Sequence, residues 1–235
     1  MKPSAHGKIE RRILINFAAD PNVVEPLIPE GYELHIVNSK AVVGICLIRL
    51  AQMRPKFVPA FFGIHSENIA HRIALRYAHE DGTENAGVFV PIRHTNSWIT
   101  SNIGSRFFTG VYDPATFKVR EQNGIYDIEA RSRDGEMRIA IEAHDAEEFT
   151  SNLFGSLEEV SSFFECGSVG FSPDRGGCEI EGVKMTAQGW NMQPLEVHKV
   201  ESSFYDNEEV FPKGSVAFDC ALIMKDLPVL WSPVR

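Results

Sequence analysis

One short stretch carries the residue types of a proton-transfer site. In "HSENIAHRIALRY", residues 65–77, strand alternation puts Glu67, Ile69, His71, Ile73, Leu75 and Tyr77 on one face and Ser66, Asn68, Ala70, Arg72, Ala74 and Arg76 on the other. The more apolar face is that of Glu67 and His71. A carboxyl and an imidazole turned into hydrocarbon have their charged forms penalised, which raises the pKa of the acid and lowers that of the base. Groups tuned in this way serve as general acids and bases. On a strand the two backbones stand roughly 13 Å apart, so they flank a ligand rather than touch, whereas on a helix they would be neighbours. The competing reading pairs Glu67 with a core arginine and His71 with a backbone carbonyl.

Anion-holding groups occur nearby in the sequence. "VPIRHTNSW" sets Arg93 and His94 just after an apolar run, and "GSRFFTGVYDPATF", residues 104–117, brings Arg106, Phe107, Tyr112 and Asp113 together. Arg93 and Arg106 each offer a planar fork that fits a substrate carboxylate, or a buried acid such as Glu67. In the catalytic reading Glu67 is the acid/base, an arginine holds the substrate, and Tyr112 or Asp113 assists proton transfer. Arg93, His71, His94, Phe62 and Phe107 then contribute to the substrate-binding wall. No metal is expected at His65, His71 or His94, because no His-x-His, HExxH or clustered Cys/His spacing accompanies them. A GxGxxG after a strand, a P-loop and a GxSxG elbow are all missing, so no cofactor is expected either.

The elements that must position these groups are mostly strands. "ELHIVNSKAVVGICLIRL" reads as a hairpin turning at Asn38-Ser39-Lys40, with Val43, Ile45 and Leu47 on one face. Asp81-Gly82 and Asp134-Gly135 each sit between alternating runs, a strong hairpin signal because both turn positions tolerate positive φ. "SVAFDCALIM" alternates with Val216, Phe218, Cys220, Leu222 and Met224 on one side. Two short helices are expected. Asp20 and Pro21 open "DPNVVEPLIPEG", and "SLEEVSSFFECG" is a capping box in which Ser156 and Glu159 satisfy each other's backbone donors.

The totals agree with one globular domain over residues 1–235. Of its 235 residues 43% are hydrophobic, including 16 phenylalanines, enough for a sizeable core. A formal charge of −9 opposes binding to a phosphate backbone, so no nucleic-acid partner is expected. No apolar run approaches the roughly 20 residues of a membrane span, and the N-terminus lacks the pattern of an export signal. The expectation is a cytoplasmic protein whose four widely spaced cysteines are reduced.

The order "NVVEPLIPEGYELHIVNSKAVVGICLIRL", "RPKFVPAFFGIHSENIAHRIAL", "GVFVPIRHTNSWITSNIGSRFFTGVYDPATF", "SLEEVSSFFECGSVGFSP" and "LEVHKVESSFYD" followed by "FPKGSVAFDCALIMKDLP" resembles the uncharacterised branch of the acetoacetate decarboxylase-like superfamily. The resemblance implies a mainly β (α+β) fold, a large curved antiparallel cone or barrel with an internal cavity and a few short flanking helices, assembled into homo-oligomers. It also implies that Glu67, in "SEN", matches a strand carrying a catalytic glutamate. In the decarboxylases of that superfamily an arginine-bearing strand runs into a Gly-aromatic-Pro-Lys-Lys segment whose lysine forms a Schiff base. Here the comparable path runs from Arg106 to Pro114, and no lysine lies between Lys56 and Lys118. Lys118 alternates with Phe117 and Val119, so it points outward if they point inward. Two functions are therefore expected as alternatives: a cofactor-independent enzyme acting on a small oxo or carboxylic acid, or a non-catalytic protein that binds a small ligand in its cavity.

Overall fold

The computed structural model describes residues 4–78, 82–103 and 110–234. In chain order the strands are β1 (Ala5–Ala19), β2 (Glu33–Leu34), β3 (Ile36–Val37), β4 (Lys40–Pro55), β5 (Ile64–Ala78), β6 (Glu84–Phe89), β7 (Arg93–Thr95), β8 (Asp113–Gln122), β9 (Ile125–Ser132), β10 (Arg138–Asp145), β11 (Val169–Pro173), β12 (Ile180–Ala187), β13 (Gln193–Ser202) and β14 (Val216–Val234). Three short α-helices flank them: α1 (Pro21–Val24), α2 (Trp98–Ile103) and α3 (Leu157–Cys166).

The strands join in one sheet that closes on itself twice. One ring runs β5–β4–β1–β14–β12–β11–β6 and back to β5, seven strands in all. The other runs β5–β7–β8–β9–β10–β13–β14–β1–β4 and back to β5, nine strands. The long strands β14, β1, β4 and β5 are common to both. Closure removes the exposed edges that would otherwise invite pairing with other chains. The mainly β, cone-like architecture matches the expectation, with one refinement. Two pairings are parallel, β6 with β11 and β7 with β8.

The hairpins fall where the turn residues place them. Asn38 and Ser39 both adopt positive φ between β3 and β4, and β9 and β10 pair across the turn containing Gly135. A further hairpin at Asn123-Gly124 joins β8 to β9, with φ of 50° and 76°. In the capping box the Ser156 hydroxyl accepts from the Glu159 N–H, but the Glu159 carboxylate reaches one residue further back, to the N–H of Gly155 at 2.7 Å. β14 departs from simple alternation. Cys220 pairs with Asn16 and Phe218 with Phe17, leaving Asp219 as a bulge. Cys220, Leu222 and Met224 therefore share one core, while Val216 packs against the other and Phe218 contacts Phe17.

Each shared strand buries both faces over its central residues. Ile13, Ile15, Ile45, Ile69, Ile73 and Ile223 point into the nine-strand ring, where Ile128, Ile139 and Ile141 meet them. Leu14, Cys46, Leu222 and Met224 point the other way, onto a second core that includes Phe164 of α3. Tyr205 pins the shared strands together. Its hydroxyl accepts from the Gly44 N–H at 2.9 Å and lies 2.8 Å from the Gly44 carbonyl and 3.2 Å from that of Arg72. A Cβ at Gly44 would overlap the Ile15 carbonyl oxygen, so glycine is required where β4 passes β1 this closely. Among the described residues no helix is long and apolar enough to cross a membrane. Tyr205→Phe leaves the buried Gly44 N–H without its acceptor and is expected to lower unfolding free energy by roughly 1–3 kcal/mol, read as a lower urea midpoint at unchanged slope.

Candidate functional site

The seven-strand ring encloses a cavity of about 160 Å³. Ser66, Asn68, Ala70 and Arg72 of β5 line it, facing Arg12 of β1, Cys46 and Ile48 of β4, and Met185 of β12. Arg93, Tyr112 and Thr100 complete the polar wall near β7. The lining face of β5 is therefore the one opposite Glu67 and His71.

Three guanidinium groups reach the cavity, and no carboxylate is among the described residues lining it. Arg72 is only 3% exposed. It donates to Asn16 Oδ1 through Nη2 and sits with its Cζ 4.3 Å from the centre of the Phe164 ring, while its Nε has no partner among the described residues. Burial and the neighbouring Arg12 lower its pKa to about 10, burial being the larger effect, so it stays cationic at neutral pH. Half-buried Arg12 meets sulfur and an aromatic face among the described residues: Cys46 Sγ at 3.4 Å, Met185 Sδ at 3.9 Å and the Trp190 ring at 5.7 Å. Arg93 lies against Tyr112, 5.6 Å from the ring centre, and Gly110 makes room for it, because a Cβ there would collide with its Nη1. Asn68 donates to the Ile48 and Ser66 carbonyls, which fixes its amide orientation and leaves Oδ1 an unpartnered buried acceptor. The described lining thus offers guanidinium cations, the Asn68 acceptor and the hydroxyls of Ser66, Thr100 and Tyr112, a setting that favours an anion with a hydrogen to donate.

Glu67 lies on the far face of β5. Its carboxylate accepts from Arg11 Nη2 at 2.6 Å and from Arg49 Nε at 2.5 Å, and Glu121 caps the second nitrogens of both arginines. This four-charge cluster matches the competing reading of Glu67, a carboxylate paired with core arginines. His71 is packed in the nine-strand core against Phe204 and Tyr205, with neither ring nitrogen partnered among the described residues. The backbone-carbonyl bond considered for it is absent there. His94, also buried, has its pKa lowered by burial, which outweighs the opposing pull of Asp113 and Asp134.

Of the other candidates, Arg93 and Tyr112 come together in the cavity wall, whereas Asp113 is exposed at the start of β8 and Phe62 is 65% exposed outside the site. Arg106 and Phe107 lie outside the described residues. The sequence reading missed Arg12, Arg72 and Asn68. A signal for them was present: "IERRILINF" sets two arginines side by side in a strand, and neighbours on a strand face opposite ways. Arg11 enters one ring and Arg12 the other.

A family model for DUF2071, uncharacterized conserved proteins, matches residues 7–219. The chain belongs to that family. No curated protein matches this chain by sequence. Among solved structures, the acetoacetate decarboxylase of Legionella pneumophila subsp. pneumophila str. Philadelphia 1 superposes with TM-score 0.59 at 15% identity, covering 100% of this chain and 88% of the other. The enduracididine biosynthesis enzyme MppR in complex with pyruvate gives 0.60 at 9% identity over 100% and 91%. An acetoacetate decarboxylase-like enzyme from Sphingomonas wittichii RW1 gives 0.58 at 10% identity over 100% and 94%. The DUF2071 chain therefore has the acetoacetate decarboxylase-like fold.

Two outcomes follow from this placement of charges. Glu67→Gln strips the carboxylate from Arg11 and Arg49 and is expected to cost about 3 kcal/mol in a urea titration. Burial holds His71 neutral, its pKa lowered from 6.5 to about 3. Between those values the unfolded chain takes up a proton that the folded chain refuses, so the contribution is intact above about pH 6.5 and is lost as pH falls toward 3, at up to about 1.4 kcal/mol per pH unit. His71→Phe is expected to flatten that limb of the midpoint-versus-pH curve.

Proposed function

We propose that the seven-strand ring receives a small oxo or carboxylic acid as its anion, held by Arg12, Arg72 and Arg93. The observation that carries this is the buried Arg72 guanidinium with Arg12 beside it and no carboxylate among the described lining residues. A buried cation left without a counterion is costly, and a ligand carboxylate offsets that cost while gaining charge-assisted hydrogen bonds. The volume is close to that of an engineered cavity that takes up one benzene, and so suits a ligand core of roughly six heavy atoms. MppR, on the same fold, has been solved with pyruvate, a compound of this class.

The chemistry open to such a site is charge stabilisation. Guanidinium groups that clamp an oxo acid also stabilise the enolate formed by losing a proton beside the carbonyl, and the half-buried Tyr112 hydroxyl in the same wall takes that proton as it passes its own to solvent water. Isomerisation, hydration and dehydration of a small acid fall within this scope. An imine route has no amine among the described lining residues, and Lys118 is engaged with Glu129 on an exposed strand at 3.1 Å. The second reading, binding without turnover, is favoured by the lack of a carboxylate or imidazole base in that lining.

The test is NMR of the protein with a panel of small oxo, hydroxy and unsaturated acids, pyruvate included, run in D₂O. Ligand line broadening is expected for the wild type and a loss of affinity of about tenfold or more for Arg12→Gln, whose stability changes little. Exchange of protons beside the carbonyl, lost in Tyr112→Phe, would establish catalysis. Binding unaffected in Arg12→Gln and Arg72→Met, or no binding across the panel, would reject the proposal.

A further inference from the structure

Away from the cavity, on the outer surface of the nine-strand ring, His144 of β10 meets Glu196 and His198 of β13. One nitrogen or oxygen from each of the three lies within 4.8 Å of the others. We propose that these side chains bind a divalent transition-metal ion of the zinc type, in an open site with three protein ligands and water in the remaining position or positions.

Backbone geometry brings the three together. His144 and Glu196 oppose each other in register, with His144 Nε2 3.6 Å from Glu196 Oε2. Two donors each about 2.1 Å from a tetrahedral ion sit about 3.4 Å apart, so this pair needs almost no adjustment to share one. A bulge supplies the third ligand. Glu142 pairs with Lys199 and Ala143 with Val197, which leaves His198 unopposed. Val197 and Val200 both pack inward, so His198 and Lys199 both turn outward, and the His198 ring stands 4.5 Å from that of His144.

The protonation state is also prepared. His144 Nδ1 lies 3.0 Å from the backbone carbonyl oxygen of Asp145, which can only accept, so in the neutral ring Nδ1 carries the proton and Nε2, on the Glu196 side, is the atom left to ligate. This is the outer hydrogen bond that metal-bound imidazoles usually make. The surrounding charge is permissive: Lys199 is engaged by Glu201 at 3.2 Å and Lys225 by Asp145 at 3.3 Å, while Glu142 adds a negative charge on the same face of β10. Two imidazoles with one carboxylate select zinc, nickel or copper over magnesium or calcium, which prefer oxygen donors. None of the three side chains lines the cavity, so this proposal stands or falls independently of the acid-binding site.

The experiment is isothermal titration of the tag-free full-length protein with zinc chloride, with magnesium chloride in parallel. About one equivalent of zinc is expected to bind, and no magnesium. His198→Ala and Glu196→Gln are each expected to weaken zinc by about tenfold or more, and His144→Ala/His198→Ala to abolish binding. All three positions are at least partly exposed, so urea midpoints without metal should stay unchanged, separating ligand loss from unfolding. Absence of zinc binding by the wild type, or full affinity retained by the double variant, would overturn the assignment; the latter would point to exposed Cys166 or Cys178 instead.

Discussion

Four strands belong to two closed rings at once, and this constraint governs the rest of the molecule. Over their central residues β14, β1, β4 and β5 bury both faces, because what is the outside of one ring is the inside of the other. The usual rule that one face of an antiparallel strand is apolar and the other wet cannot hold for them. Polar side chains in those central stretches, Arg11, Asn16, Glu67, Asn68 and Arg72 among them, are committed to a buried environment whichever way they point. Each must find a partner in the protein or leave a place for one.

The two rings answer that demand differently. In the nine-strand ring the charges are self-sufficient: Arg11 and Arg49 face Glu67 and Glu121, and most of the remaining volume is filled by isoleucines and aromatic rings. In the seven-strand ring Arg12 and Arg72 are held by groups that do not neutralise them, an amide oxygen, thiol and thioether sulfurs and aromatic faces. Such contacts orient a guanidinium without cancelling its field. A chain with a formal charge of −9 thus keeps a local positive potential inside one ring, where the low dielectric sustains it.

Much of the fold is readable from local sequence because turn and cap chemistry is local. Asn38-Ser39, Gly135 and Ser156 act over a few residues, and the structure places turns and a cap at each. Ring closure is not local. The pairing of β12 with β14, which completes the seven-strand ring, joins residues near 185 to residues near 231 and leaves no pattern in either segment. This is why the sequence reading turned to the face of β5 opposite the cavity. Alternation separated Glu67 and His71 from Asn68 and Arg72 correctly, but the apolar face is assigned to the core only when the other face is wet. Here both were buried, and the face judged polar proved to be the one that looks into the cavity.

The same double burial has a consequence for how such a site can specialise. Arg12 and Arg72 sit in the middle of long shared strands whose opposite faces carry the main core, so their positions are fixed by packing, through Ile13 and Ile73 beside them, rather than by loops. Moving either arginine would mean shifting a strand in both rings at once, which close-packed interiors resist. Arg93, Tyr112 and Thr100 stand instead on the short β7 strand, the segment that leads into β8, and α2. In the proposed acid-binding site, anion capture thus rests on the rigid part of the fold, and the choice of ligand, along with any chemistry performed on it, rests on the part least constrained by the core.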